Sequence, residues 1–144
     1  MDKIDHAIVG LLQRDGRLTY RELGEQVQLS ANAVAERVKR LLASGVIRHV
    51  KAVVNPQALG RHLEAQIDIK LRPDTSAASF EKAIRGFPQV VSAMLVTGSF
   101  DYMVRVACTD RDDLVRITET LREKAGVHET YSRVILRELA VDSV

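Results

Sequence analysis

The chain has 144 residues, 46% of them hydrophobic and 28% charged, which allows one ordinary core or two small ones and is not the composition of a disordered segment. No apolar run approaches the length that spans a bilayer, and Met1-Asp2-Lys3-Ile4-Asp5 lacks the basic-then-apolar design of a signal peptide, so a cytoplasmic protein with no membrane partner is expected. The net charge of +2 hides an asymmetry: residues 1–60 carry nine Lys/Arg against six Asp/Glu, whereas residues 61–144 carry twelve against thirteen.

Ile4, Ile8, Leu11 and Leu12 recur at helical spacing and predict a first helix, with Gly16 as the residue just beyond its end. Thr19 and Glu22 then form a Thr-x-x-Glu capping box, and Leu18 and Leu23 can close a hydrophobic staple around it. The second helix runs to about Val27. Its Gly24 stands where a helix prefers alanine by about 1 kcal/mol, which points to the close approach of another helix. After a break at Gln28 and Leu29, Ser30 is a good cap for a third helix with Val34, Val38, Leu41 and Leu42 on its apolar stripe.

The other face of that helix is polar. Asn32, Ala33, Ala35, Glu36, Lys39 and Arg40 lie on it, with Arg37 at its margin. Between Glu36 and Lys51, five positive residues (Arg37, Lys39, Arg40, Arg48 and Lys51) stand against Glu36 alone. Two short helices joined by a tight turn over about residues 20–39, the second basic on its exposed side, meet the requirements of a helix-turn-helix on double-stranded DNA. In that reading Arg37, Lys39, Arg40 and Arg48 contact phosphates. Asn32, Ala33 and Glu36 lie nearer base edges, and Ser30 opens the helix beside them. A three-helix bundle with a solvated face would carry the same charges; the coincidence of capping box, small Gly24 and basic face favours DNA.

Gly45 ends the third helix, and the β-branched run Val46 to Val54 predicts a short strand or wing before Asn55-Pro56. Domains are therefore expected at 1–54 and 62–144, with 55–61 as linker. Leu63, Ala65, Ile67, Ile69 and Leu71 alternate with polar residues as a half-buried strand ended by Pro73. A helix from about Ser76 carries Phe80, Ile84 and Phe87. Two strands, about 89–97 and 100–108, flank Gly98-Ser99 as a two-residue hairpin turn. Asp110 to Asp113 offer caps for a helix with Leu114, Ile117 and Leu121 aligned, Gly126 closes it, and a last strand spans about 127–139. The order β-α-β-β-α-β is ferredoxin-like, making the whole an α+β chain with an N-terminal winged helix-turn-helix. One sheet face stays bare in that arrangement. A bare apolar face needs a cover, and a second copy of the domain is the simplest one, which predicts a two-fold dimer. Cys108 has no intrachain partner, and its apolar neighbours mark it as buried.

These segments resemble the leucine-responsive and asparagine-regulator family, the Lrp/AsnC proteins. The resemblance rests on Asp2-Lys3-Ile4-Asp5, Leu29-Ser30, Glu36-Arg37-Val38-Lys39-Arg40-Leu41, Gly45-Val46-Ile47 and Asn55-Pro56. In the second half it rests on Val96-Thr97-Gly98-Ser99-Phe100-Asp101-Tyr102 and Gly126-Val127. Many members carry proline after the helix-opening serine, where this chain has Ala31; either suits a first helical turn. The resemblance implies transcriptional regulation of metabolic genes, an amino acid or related small effector, and dimers assembled into tetramers or octamers. It also implies that the 97–102 loop lies where dimers meet, and it matches His128 to a ligand-contact position. Within that loop, backbone N–H groups exposed at Gly98-Ser99 suit a carboxylate, and Asp101 suits an α-ammonium group. The plain alternative is that Gly98 only makes the turn and Asp101 only caps it.

Two other functions share this fold. A minority of proteins with this architecture resemble haem-precursor decarboxylases, but His6, His49, His62 and His128 show no metal-ligand or triad spacing, so no enzyme activity, metal or cofactor is expected. RNA-recognition domains stack bases on sheet aromatics; Phe100 and Tyr102 share parity, but the basic-glycine-aromatic signature is absent.

Overall fold

Residues 1–139 are described in a computed structural model, in which the chain divides into two units between Val53 and Val54. The first unit holds α1 (Lys3–Arg14), α2 (Tyr20–Val27) and α3 (Ala31–Ala43). Each helix starts where a side chain takes up a backbone N–H that the helix itself leaves without a partner. Thr19 and Glu22 cap α2 reciprocally at 3.2 and 2.7 Å. Ser30 accepts from the Ala33 N–H at 3.2 Å. Asp2 and Asp5 form a second reciprocal box on α1, which the sequence reading did not anticipate. Ile8, Leu23, Val34, Val38 and Leu41 are buried where the helices meet, and Leu18 packs against them just before the α2 cap.

Gly16 follows the α1 cap Asp15, as expected, without a left-handed φ; a Cβ there would crowd Val50 Cγ1 at 3.1 Å. Three local expectations are corrected. Gly24 makes room for the turn rather than for another helix: a Cβ would run into the Leu29 carbonyl, while the Leu29 N–H returns to the Gly24 carbonyl at 2.9 Å. Leu42 is 42% exposed, because it falls beyond the stripe that Val34, Val38 and Leu41 define. The expected wing strand is absent. Left-handed Gly45 turns the chain, the Ile47 N–H donates to the Leu41 carbonyl at 3.0 Å, and Ile47 packs on the helical core. Among the described residues no strand runs beside Val46 to Val53, so the β-branched run has no ladder to join.

The second unit opens with a 3₁₀ turn, Pro56–Leu59, inside the expected linker and capped by the Asn55 side chain. Then follow β1 (Leu63–Leu71), α4 (Ala77–Ile84), β2 (Val90–Leu95), β3 (Tyr102–Cys108), α5 (Arg111–Lys124) and β4 (Val127–Val134). The strand order is β2-β3-β1-β4 with antiparallel pairs, the ferredoxin-like arrangement. The alternation read in β1 sends Ala65, Ile67 and Ile69 into a core shared with Val104, Val106, Phe80, Ile84, Ile117 and Leu121. β4 is shorter than expected. Among the described residues beyond Val134, only the Ile135 N–H continues the pairing, to the Glu64 carbonyl at 2.8 Å.

The sheet face carrying the opposite parity is mixed: Glu64, Gln66, Asp68 and Lys70 lie on it, with Met94, Met103 and Tyr131 in the same rows. Arg105 lies 3.0 Å from Glu64 and 2.6 Å from Glu138, and Arg133 lies 2.6 Å from Asp68. The face is thus less apolar than expected, because the residues between the core positions of β1 are charged or amide-bearing.

Candidate nucleic-acid interface and effector loop

The surface of α3 away from the core presents Asn32, Glu36, Lys39 and Arg40 exposed, with Ala33 partly so. Ala33 and Ala35 keep this face low, so the side chains that project from it are the polar ones. Ser30 points its hydroxyl at the helix's own first turn. Arg48, beyond Gly45, is exposed on the irregular segment, not on a strand. The turn feeding this helix is tightly determined: Gln28 is left-handed at φ 58°, and Gly24 admits the folded-back backbone.

Arg37 differs from its neighbours. Its Nη1 donates to Asp2 Oδ2 at 2.7 Å and to Asp5 Oδ1 at 2.8 Å, and only 21% of its side chain is exposed. The Asp2 carboxyl is held below its ordinary range by the Asp5 N–H and by Arg37. The Asp5 carboxyl is lowered by Arg37 and by the Asp2 N–H. Arg37 is thus ion-paired inside the helical unit, where the sequence suggested a phosphate contact. Its partners lie 32 and 35 residues away, beyond any helical periodicity.

In the second unit the predicted hairpin is longer than two residues. β2 ends at Leu95 and β3 begins at Tyr102, and the Val96 N–H closes the loop on the Asp101 carbonyl at 3.0 Å. Asp101 is tied to β1 instead of completing a tight turn. Its N–H donates to the Ile69 carbonyl, and its Oδ2 accepts the Leu71 N–H, both at 2.8 Å. Lys70 Nζ donates to the Ser99 carbonyl at 2.9 Å. Thr97, Gly98 and Ser99 are exposed, with Gly98 at φ +112°, and Phe100 is half-buried.

Tyr102 turns away from this group. It is 2% exposed, stacks on Phe80 at 4.5 Å between ring centroids, and donates its hydroxyl to Glu81 at 2.7 Å. Burial and that carboxylate raise its phenol to about 12. Facing the helices, Tyr102 supplies no base-stacking platform, and Phe100 lies outside the strand. His128 is exposed near the start of β4. Because Leu71 pairs with Val127 while Asp101 and Ser99 are bonded to Leu71 and Lys70, the loop and His128 flank the same end of β1. A separate groove of about 510 Å³ lies between α4 and edge strand β2, lined by Glu81, Ile84, Phe87, Val91 and Leu95; of the predicted effector residues only Tyr102 reaches it.

Family models match both units. Residues 1–42 match an AsnC-type helix-turn-helix domain, and residues 64–144 match an Lrp/AsnC ligand binding domain. The chain belongs to the Lrp/AsnC family. It is 37% identical to the HTH-type transcriptional regulator Rv2324 of Mycobacterium tuberculosis, over 96% of this chain and 94% of that protein. It is 32% identical to the HTH-type transcriptional regulator FL11 of Pyrococcus furiosus, over 95% and 90%. A crystal structure of transcriptional regulator NMB0573 of Neisseria meningitidis in complex with L-Met is similar at a TM-score of 0.88 and 32% identity, covering 98% and 93% of the two chains.

As an Lrp/AsnC protein the chain is a DNA-binding transcriptional regulator with a ligand-binding domain. Two features of its sites escaped the sequence reading. One is the Arg37 pairing, for which Asp-x-x-Asp at residues 2–5 was the only available signal. The other is the bond from Asp101 to Leu71, which has no local signature because it joins residues 30 apart.

Proposed function

We propose that this Lrp/AsnC regulator reads operator DNA with α3 in the major groove. Asn32, Ala33 and Glu36 face base edges, and Lys39, Arg40 and Arg48 meet phosphates. The observation that carries this reading is the exposed polar face of α3 opposite its buried Val34-Val38-Leu41 stripe. Residues 1–54 form the DNA-binding domain, 55–61 the linker and 62–144 the effector-binding domain. The protein acts in the cytoplasm on metabolic genes, without catalytic activity. Arg40→Ala tests the reading: it lowers the slope of log affinity against log salt by about 0.9, the signature of one lost phosphate contact. An unchanged slope removes Arg40 from the interface.

The effector is an amino acid or a close relative, bound where Thr97 to Asp101 and His128 flank the end of β1. The NMB0573 complex with L-Met supports that class. Backbone N–H groups near Gly98 suit the carboxylate, and the free Oδ1 of Asp101 suits the ammonium. Dimers assembling into tetramers or octamers would place this loop between dimers. A thermal-shift screen of the twenty amino acids tests the class, since a ligand that prefers the native state raises apparent stability.

A further inference from the structure

We propose that Arg37 is a positioning residue of the reading helix: gripped by Asp2 and Asp5, it fixes α3 against the first turn of α1 and makes no contact with DNA. The proposal rests on the reading that α3 binds DNA. Both hydrogens of Nη1 are engaged, one on each carboxylate, and the remaining donors, Nε and Nη2, belong to a side chain that is only 21% exposed. The carboxylates are themselves hydrogen-bonded to the start of α1. Asp2 Oδ1 accepts the Asp5 N–H at 2.8 Å and Asp5 Oδ2 accepts the Asp2 N–H at 3.1 Å, so each acid holds the helix cap with one oxygen and Arg37 with the other. Movement of Arg37 toward a phosphate would therefore leave two clustered carboxylates without their counter-charge.

The cluster that joins these helices is apolar, and apolar packing is non-directional. Among the described residues, every other side-chain hydrogen bond within the first unit joins residues no more than four apart, whereas these two span 32 and 35. Charge-assisted bonds of fixed geometry add register to a packing that hydrophobic contacts alone leave free to slide. Arg37 also sits next to Glu36 and four residues after Ala33, so a shift of its anchor displaces the positions proposed to read bases.

The test uses the full chain and a duplex selected from a random pool by the parent protein. Affinity is measured across a salt series at a temperature where circular dichroism shows every variant folded. A contribution to stability alone does not change affinity under those conditions. Arg37→Met and the pair Asp2→Asn with Asp5→Asn should each weaken binding about tenfold with the salt slope unchanged, and the triple variant should be no weaker than either. Asparagine keeps a good cap at position 2. If Arg37 instead neutralises a phosphate, Arg37→Met lowers the slope by about 0.9, and removing two carboxylates beside the DNA tightens binding. Either result overturns the proposal, as does parent affinity in both variants. Should the doubly neutralised chain melt below the assay temperature, Asp5→Asn alone gives the same opposed signs. Lys39→Ala and Arg40→Ala serve as references: parent slopes in both would refute α3 as the DNA face, an outcome distinct from failure of the clamp.

Discussion

Two helix glycines in the DNA-binding unit should respond to alanine with opposite signs. Gly10 lies within α1, and a Cβ there would meet nothing within 4 Å. Gly10→Ala therefore gains helix propensity without a steric penalty and should stabilise the unit by about 1 kcal/mol. Gly24 in α2 offers the same intrinsic gain, but a Cβ there overlaps the Leu29 carbonyl. Relief requires the turn to move, which breaks the 2.9 Å bond from the Leu29 N–H to the Gly24 carbonyl, a loss of about 1 kcal/mol. Displacing backbone in a packed turn adds about 1–3 kcal/mol of strain, so Gly24→Ala should be net destabilising by about 2 kcal/mol. Hydrogen exchange of the α2 and α3 amides, followed in the full chain, reads this unit separately from the sheet. Gly24→Ala should also weaken operator binding in the fraction that remains folded, since the moved turn carries α3. Equal stabilisation by both alanines would show that the turn carbonyl is not what demands glycine.

Further outcomes follow from the effector-binding unit. Asp101→Asn keeps an oxygen able to accept the Leu71 N–H but loses the charge. It should abolish amino-acid-induced thermal stabilisation and leave ligand-free DNA affinity within about threefold, a difference under 1 kcal/mol. A parent-like calorimetric titration would move the ammonium site elsewhere. Burial alone would raise the Asp113 carboxyl, but hydrogen bonds from the Gln89 amide and the Thr109 N–H outweigh it and leave it lowered. Its contribution to stability is thus present above the ordinary carboxylate value and lost as pH falls through the lowered one. Asp113→Asn should flatten the acid limb of the unit's stability profile; an unchanged limb refutes the assignment. Burial pushes the Cys108 thiol up to about 11, so iodoacetamide at pH 8 should modify it only after denaturation, and rapid labelling of the native chain would contradict its placement.

What the sequence disclosed divides by range. Caps close over three residues, and both Thr19/Glu22 and Ser30 were legible for that reason. Strand alternation is equally local, and it identified Ala65, Ile67 and Ile69 as core. The β-branched run from Val46 failed as a strand predictor because propensity supplies no partner. Gly98-Ser99 suggested a two-residue turn, but Asp101 is bound by β1, and nothing between residues 96 and 102 announces that. Arg37 looked like its basic neighbours Lys39 and Arg40. Only the fold brings it to Asp2 and Asp5.

The order of the sheet has a consequence for synthesis. β1 lies between β3 and β4, and Ala65 pairs with Val134 on the β4 side. That side of β1 has no strand beside it until residues 127–134 have left the ribosome. The apolar core of the three helices is drawn from residues between Ile4 and Ile47. Units rich in local contacts fold early and fast, while long-range strand pairing waits for loop closure. A nascent chain of this regulator should therefore pass through an interval in which its ligand-binding sheet still presents an open edge on β1.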